Sequence, residues 1–428
     1  MNVTERLAAF VCKVDYERIP SEGVRAIRNA ILDGVAVALA GSAEPTGKLM
    51  AGLVKKLGGK AQATVIGSGF RSSSPMAALA NGTMAHALDY DDMTDGIKGH
   101  PTAVLMPAVL AVAEEVKASG REVLQAYALG FEVASKMARA MSPDYFDGLG
   151  WHPTGPLLTL GAAAASAKLL HLSQEKTTLA LSLAASQASG LRANFGTMTK
   201  PFHAGNAARA GILAALLAQE GFTAAPNVLE SEAGFCHAFS GGKGYHPERA
   251  VQGMGDPFEV ISPGLMLKRY PSCGGTHSAL DAILHLAREH RIKADDVENV
   301  DCSLPFDPPR SLIYDRPKQG LEGKFSMHYC MAAALLDGKI SLKTFTTEQV
   351  MRPKAQQFLP KVSLRAHPEQ KGKPSFTPDY YVVTVKLKNG QQYSHRVDRA
   401  IGGERNMTED ELLGKYRKQK LLNSTKKK

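Results

Sequence analysis

Residues 86–101 concentrate the groups that can move protons or bind ions: four carboxylates, two imidazoles and one ammonium fall within sixteen positions. The stretch runs from His86 to Pro101, and its flanks are apolar and rich in alanine. Burying this many charges is unfavourable unless they pair with one another or with a ligand. His100 also lies just before an apolar periodic segment, where a helix N-terminus favours anions. The stretch therefore predicts a site that binds an anion and handles protons, at the mouth of a helical domain.

The acidic part of the stretch, from Asp91 to Asp95, has three interpretations. It spells DDxxD, the pattern with which all-helical prenyl synthases hold Mg²⁺ on a diphosphate. That chemistry needs a second acidic motif on a facing helix, and the other candidate, Asp295-Asp296, lacks the spacing. The carboxylates can instead be helix caps and surface charges. We favour the third interpretation, in which Asp89 and His100 face a polar pocket.

Two further residues stand in polar loops between apolar segments. His152 follows the only tryptophan of the chain, and a lone loop histidine is more often structural than catalytic. Lys200 precedes Pro201, which fixes the backbone, and it suits a carboxylate clamp. A pyridoxal Schiff base at Lys200 is an alternative, but no phosphate-binding glycine loop lies beside it.

Later in the chain, Lys268 and the arginine after it precede a Gly-Gly turn and His277, which again suits an anion. Tyr329 lies on an apolar face and by spacing is most simply a core residue. We find no nucleophile elbow, P-loop, dinucleotide fingerprint or HExxH motif. The remaining imidazoles, lysines, aspartate and tyrosine favour general acid–base chemistry on a polycarboxylate, without a cofactor or metal.

Composition and charge limit the classes of protein to which the chain can belong. The 428 residues carry a net charge of +10, which suits an acidic small substrate, and no aromatic-plus-basic motif predicts nucleic-acid binding. Five cysteines without a CxxC pair indicate a reducing compartment. We find no signal peptide and no uncharged apolar run long enough to cross a membrane. We therefore expect a cytoplasmic protein, with the lysines of the tail, from Lys415 onward, in solvent.

Hydrophobic periodicity predicts the elements that must position these residues. In the first part it predicts helices over 20–41, 46–58, 74–88, 102–118, 121–141, 157–171, 174–190 and 205–220, with Lys200 in the loop before the last. Beyond residue 262 it predicts helices over 277–290 and 323–337, strands over 297–304, 362–367 and 381–387, and a hairpin into 393–397. Thr408 to Glu411 forms a capping box that opens a last helix. We expect a mainly α protein, with a large all-helical domain over 1–262 and a smaller α+β domain over 263–399.

Six segments taken together resemble the MmgE/PrpD family. They occur in the family's order over almost the full chain: NGTMAHALDYDD (81–92), GHP (99–101), GWHPTG (150–155), MTKPFHAGNA (198–207), KRYPSCGGTH (268–277) and FSMHY (325–329). The resemblance implies that residues 400–428 complete the all-helical domain and that the smaller domain is a lid. It also implies that the active site lies in the cleft between the domains and that the protein is a homodimer.

The resemblance also implies roles for single residues. His100 and His152 would be the acid–base pair, and Asp89 would orient an imidazole or hold a substrate hydroxyl. Tyr329 would donate a proton or a hydrogen bond. The residues expected to bind substrate carboxylates or lie beside them are Lys200, Lys268, Thr94 and His277.

The family includes 2-methylcitrate dehydratase, cis-aconitate decarboxylase and iminodisuccinate epimerase. We expect a cofactor-independent lyase that dehydrates a citrate- or 2-methylcitrate-like hydroxy acid. Decarboxylation of a cis-aconitate-like acid and epimerisation are the alternatives, because all three reactions share a carbanion-like centre next to a carboxylate. A protein that binds a polycarboxylate without turnover is the alternative from another class.

Overall fold

The structure, a computed structural model, describes residues 1–308, 310–370, 380–398, 408 and 410–417. The chain forms two compact units. The larger comprises Met1–Ala193, Met198–Leu267 and the described part of Gly402–Lys428; the smaller comprises Asn194–Thr197 and the described part of Lys268–Ile401. The fold is mainly α with a smaller α+β unit, which confirms the predicted fold class.

The larger unit consists mainly of helices around a large apolar core. Its helices are α1 (Val3–Lys13), α2 (Ser21–Gly41), α3 (Pro45–Leu57), α4 (Ser74–His86), α5 (Thr102–Val116), α6 (Gly120–Ala140), α7 (Asp144–Asp147), α8 (Pro156–Leu169), α9 (Gln174–Ala185), α10 (Thr199–Gln219) and α11 (Phe235–Phe239). Strands β1 (Ala63–Val65) and β2 (Phe70–Ser72) form an antiparallel pair. As predicted, α4 and α5 bracket the acidic stretch.

Helix α10 begins earlier than its sequence predicts. It starts at Thr199, so Lys200 lies in its first turn and the predicted loop position of Lys200 is wrong. The sequence predicts a loop that ends near Pro201, but proline is also well suited to the first turn of a helix, where its missing N–H would have no intrahelical partner.

Two glycines let α4 and α10 approach each other closely. A Cβ on Gly82 would lie 2.8 Å from the Cα of Gly205, and a Cβ on Gly205 would lie 2.2 Å from the carbonyl oxygen of Leu79. A side chain at either position would therefore force the helices apart. The close approach brings the C-terminal end of α4, at His86, next to the N-terminal turn of α10, at Lys200.

The C-terminal helix, residues 410–417, also packs in the larger unit. Its predicted capping box is confirmed: the Glu411 amide donates to the Thr408 Oγ1 at 3.2 Å, and the Thr408 amide donates to a Glu411 carboxylate oxygen at 2.8 Å. Leu412 and Lys415, three positions apart, share the buried face of this helix. The expectation that Lys415 lies in solvent is therefore wrong.

The smaller unit contains a four-stranded sheet in the order β4-β3-β5-β6. Its strands are β3 (Val297–Leu304), β4 (Val362–Ala366), β5 (Tyr380–Leu387) and β6 (Gln392–Asp398). Strand β3 pairs parallel with β4 and antiparallel with β5, and the predicted hairpin joins β5 to β6. The helices of this unit are α12 (His277–Glu289), α13 (Gly320–Gly323), α14 (Met327–Asp337), α15 (Thr347–Met351) and α16 (Pro353–Phe358).

Among the described residues, we find no single helix that is both long and apolar enough to cross a membrane. Helices α2 and α3 are long and apolar enough only when they are taken together, and the pair is bent by 88° at the break between them.

Candidate active site

The acidic stretch forms the connection between α4 and α5. Asp89 adopts a left-handed backbone conformation, with φ of 49°, which aspartate tolerates better than most residues with a side chain. Further along, the Thr94 amide donates to the Gly99 carbonyl at 3.1 Å, and the Thr94 hydroxyl accepts from the Gly96 amide at 3.3 Å. Through these two hydrogen bonds, Thr94 closes the turn that precedes His100.

Asp91 contacts two imidazoles at once. Its Oδ2 lies 2.9 Å from the Nδ1 of His86 and 3.2 Å from the Nδ1 of His100. Burial alone would raise the pKa of Asp91, but the two imidazoles hold it well below its usual value. Since an ionised carboxylate only accepts hydrogen bonds, both Nδ1 atoms carry hydrogen, and proton transfer falls to Nε2. The backbone carbonyl of Asp92, 2.9 Å from the Nδ1 of His100, favours the same arrangement.

Lys200 joins this pair from α10. Its Nζ lies 2.8 Å from the Oδ1 of Asp89 and 2.6 Å from the Nε2 of His86. The same Asp89 oxygen lies 3.8 Å from the Nε2 of His100. The Asp89 carboxylate therefore lies between an ammonium and the imidazole nitrogen that is oriented for proton transfer.

His152 completes the cluster from the loop before α8. Its ring centroid lies 5.8 Å from that of His86 and 6.3 Å from that of His100. The His152 amide donates to the Gly190 carbonyl at 3.0 Å, and the His100 amide donates to the Thr154 hydroxyl at 3.1 Å. The two histidine loops are thus tied to each other.

His203, one turn after Lys200 on α10, lies behind His152, with 3.0 Å between their Nδ1 atoms. Burial, followed by the charge of Lys200, lowers the pKa of His203 to about 4 and that of His152 well below its usual value. Burial likewise lowers the pKa of His86 to about 3, against the opposing effect of Asp91. These three imidazoles are therefore neutral at pH 7, whereas Asp91 is ionised.

Asp92 belongs to a different network beneath the cluster. Its carboxyl accepts from the Thr102 amide at 3.1 Å and from the Thr102 hydroxyl, whose oxygen lies 2.5 Å from the hydroxyl of Tyr127. Burial raises the pKa of Asp92 to about 8, against the effect of the Thr102 hydrogen bonds. Asp92 is therefore mostly neutral at pH 7 and holds the start of α5.

The cluster also brings together groups that can bind a metal ion. One ligand atom from each of His86, His100 and His152 can be chosen so that all lie within 4.8 Å of one another, and the same holds for His86, Asp89, Asp91 and His100. However, Asp91 and Lys200 contact both ring nitrogens of His86, so an ion bound through His86 would have to displace one of them. The DDxxD interpretation fits less well, because Asp91 contacts imidazoles and Asp92 is neutral.

The smaller unit holds the other predicted residues. Lys268 is buried at the start of the second segment of this unit, and His277 begins α12 with its Nε2 3.3 Å from the Ser272 carbonyl oxygen. Tyr329 is buried in α14, and its hydroxyl donates to the Thr344 carbonyl at 2.5 Å. Within this unit, the proton of Tyr329 is thus directed to the backbone.

Sequence analysis did not select His86, Asp91 or His203. His86 and Asp91 lie inside the stretch that it singled out, five positions apart, but one lies on a helix and the other in a loop, so no periodicity connects them. A signal for His203 exists once α10 is known to begin at Thr199, because residues three apart lie on one helix face.

Comparison with known proteins identifies relatives that are similar in sequence over almost the whole chain. Cis-aconitate decarboxylase of Mus musculus is 29% identical over 97% of this chain and 86% of its own length. The cis-aconitate decarboxylase-like protein oryM of Aspergillus oryzae is 29% identical over 97% of this chain and 90% of its own length. Cis-aconitate decarboxylase of Aspergillus terreus is 27% identical over 97% of this chain and 88% of its own length.

Family profiles match both parts of the chain. The MmgE/PrpD N-terminal domain matches residues 5–248, which include the whole imidazole cluster, and the MmgE/PrpD C-terminal domain matches residues 270–421. The chain belongs to the MmgE/PrpD family.

Proposed function

We propose that the protein is a cofactor-independent lyase that acts on an aconitate-like tricarboxylate, with His100 as the residue that transfers the proton. One observation carries the proposal: Asp91 fixes the Nδ1 of His100 as a donor, which directs Nε2 toward the Asp89–Lys200 pair. An imidazole whose Nδ1 donates to a carboxylate is suited to general acid–base catalysis through its Nε2.

Among the reactions of such a lyase, we place decarboxylation of a cis-aconitate-like acid first, because the relatives reported above carry that name. In this reaction the bond to one carboxylate breaks, and its electron pair forms the new double bond. The electron pair of the old double bond takes a proton at the double-bond carbon that is farther from the departing carboxylate. A trianion and one proton thus become a dianion and CO₂, so the site must donate one proton in each turnover.

The cluster contains the groups that this step requires. An imidazolium at His100, hydrogen-bonded through Nδ1 to Asp91, can donate its Nε2 proton to the substrate carbon, and solvent then replaces the proton. Lys200 places a buried cation where a substrate carboxylate can bind. Lys268, His277 and Tyr329 keep the roles that the family resemblance implies, as part of the proposal.

Dehydration of a citrate-like hydroxy acid, which the sequence analysis put first, is the second candidate. It needs two proton transfers, one from carbon to a base and one from an acid to the leaving hydroxyl. The observation that favours it is the presence of two imidazoles, His100 and His152, on separate loops with ring centroids 6.3 Å apart.

Proton NMR in D₂O tests the proposal. The protein is dialysed against a chelator and incubated separately with cis-aconitate, citrate, 2-methylcitrate and iminodisuccinate. Vinylidene signals from cis-aconitate, with release of CO₂ and uptake of one proton, are the expected result. Loss of a hydroxy acid with growth of a vinyl signal would instead support the dehydratase. Deuterium incorporation without loss of substrate would support an epimerase and contradict the lyase.

Two variants connect the activity to the cluster. His100→Gln and His152→Gln should each abolish turnover while the thermal unfolding midpoint stays close to that of the wild type. His246→Gln, at an exposed histidine outside the cluster, is the control. Wild-type activity in both cluster variants would contradict the assignment of His100 and His152 as catalytic residues. If the wild type turns over none of the four compounds, the proposal of a lyase is contradicted.

A further inference from the structure

A buried ion pair connects the C-terminal helix to α2, beneath the acidic stretch. The Nζ of Lys415 lies 2.8 Å from one carboxylate oxygen of Asp33 and 3.0 Å from the other. Both side chains are almost completely buried, at 2% and 1% exposure. Replacing a buried pair with apolar residues of similar volume is often neutral or stabilising, so stability alone does not account for the pair.

The position of Lys415 indicates another role. Its Nζ also donates to the backbone carbonyl of Tyr90 at 2.8 Å and lies 3.9 Å from the centroid of the Tyr90 ring. Tyr90 stands between Asp89, which pairs with Lys200, and Asp91, which orients two imidazoles. The ammonium therefore holds the backbone at the point from which both carboxylates project.

The surrounding charges favour an ammonium at this position. Burial lowers the pKa of Lys415, but the carboxylates of Asp33 and Asp91 oppose that effect. Burial is also the main cause of the raised pKa of Asp33, and Lys415 opposes it. Each partner thus favours the charged form of the other, and the lysine is the common cation of these acidic groups.

We propose that Lys415 is a positioning residue of the active site: it fixes the backbone at Tyr90 and so sets the positions of Asp89 and Asp91. Its effect on turnover rests on the proposed function, whereas its effect on the geometry of the cluster does not. A displacement of about 1 Å in such a site lowers the rate by about a hundredfold, so the loss of this one contact should be measurable.

Variants of the pair separate positioning from stability. Lys415→Met leaves Asp33 buried without its cation and destabilises the protein, so the double variant Asp33→Asn/Lys415→Met, which removes both charges, provides a folded reference. Asp33→Asn alone also leaves a buried charge without its partner, so its activity is compared at an equal folded fraction, but it keeps the contact between Lys415 and the Tyr90 carbonyl. Arg417→Met, which removes an exposed cation from the same helix, is the matched control.

The first measurement is steady-state turnover of cis-aconitate. The double variant should lose about ten- to a hundredfold in kcat, with a smaller change in KM, because the proton-transfer geometry is disturbed more than the cation that binds carboxylates. Asp33→Asn should keep most of the activity, and Arg417→Met should match the wild type. A folded double variant with wild-type kcat would overturn the proposal.

The second measurement does not depend on activity. The proton on the Nδ1 of His86, bonded to Asp91, should give a low-field NMR signal that is absent in His86→Gln. This signal should move or broaden in the double variant and stay unchanged in Arg417→Met; an unchanged signal in the folded double variant would overturn the proposal, whatever happens to kcat. If the wild type turns over none of the four compounds, the proposed function fails, and this signal alone decides the role of Lys415.

Discussion

Lys200 donates to Asp89 and to His86 from the first turn of α10, with its Nζ 2.8 Å from the Oδ1 of Asp89 and 2.6 Å from the Nε2 of His86. One ammonium thus serves a carboxylate and an imidazole in a site where all three side chains are buried. A substrate carboxylate that binds Lys200 must share it with these partners. Under the proposed function, Lys200 therefore combines a structural role with the binding of a substrate carboxylate.

Lys200→Met should raise KM for the tricarboxylate and also lower stability. The variant leaves the Asp89 carboxylate buried without its cation, and breaking a buried pair on one side costs about 3–5 kcal/mol. The double variant Asp89→Asn/Lys200→Met should recover much of the stability but none of the activity. Urea unfolding and steady-state kinetics check these outcomes, and an unchanged KM in Lys200→Met would count against a carboxylate clamp.

Replacement by asparagine should affect activity differently at the neighbours Asp91 and Asp92. Asp91 is ionised and orients two imidazoles, so Asp91→Asn should lower kcat by about a hundredfold or more. Asp92 is mostly neutral at pH 7, so Asp92→Asn replaces it with a neutral group of similar shape and should keep activity within a few fold. Comparable losses of kcat in the two variants, at equal folded fractions, would contradict the division of roles.

Asp92 also predicts a change of stability with pH. Its pKa is about 8 in the folded protein and about 3.9 in an unfolded chain. Between these values the folded state binds more protons, so the contribution of Asp92 to stability decreases as the pH rises to 8. The stability gained in Asp92→Asn should therefore grow between pH 5 and 8 and then level off. The free energy of unfolding, measured at several pH values, tests this, and a gain independent of pH would disprove it.

His203 should make the protein less stable in acid. Its pKa is lowered from 6.5 to about 4 by burial and by Lys200, so the unfolded chain binds more protons between these values. The contribution of His203 is complete above pH 6.5 and is lost as the pH falls toward 4, with a slope of about 1.4 kcal/mol per pH unit. His203→Gln should remove about that slope between pH 4.5 and 6. Parallel curves for His203→Gln and the wild type would refute the prediction.

Gly205→Ala should disturb the site from a distance. The new Cβ would meet the Leu79 carbonyl oxygen at 2.2 Å, so α4 and α10 must separate, at a cost of about 1–3 kcal/mol. The contact between Lys200 and His86 lengthens, and kcat should fall with stability. Gly52→Ala is the control: a Cβ there has nothing within 4 Å, and alanine in a helix should stabilise by about 0.5–1 kcal/mol. A Gly205→Ala variant as stable and active as Gly52→Ala would show that the close approach is unnecessary.

The sequence predicted most elements that surround the site, because α4, α5 and the β5–β6 hairpin each carry a local signal of periodicity, capping or turn chemistry. It placed Lys200 in a loop because proline before an apolar run is compatible with a loop end and with a first helical turn. It placed Lys415 in solvent because a basic tail usually is solvated, and only contact with Asp33 and Tyr90 contradicts this. Such contacts between distant positions have no counterpart in local spacing.

The contact between Lys415 and the Tyr90 carbonyl spans 325 positions of the chain. During synthesis at about 5–20 residues per second, the acidic stretch leaves the ribosome roughly 16–65 seconds before the lysine that supports it. Over that interval Asp33 is present without its cation, so its carboxyl favours the protonated form or stays hydrated. A chain cut before residue 410 would remain in that condition permanently, so the proposed positioning of Asp89 and Asp91 depends on synthesis of the last helix.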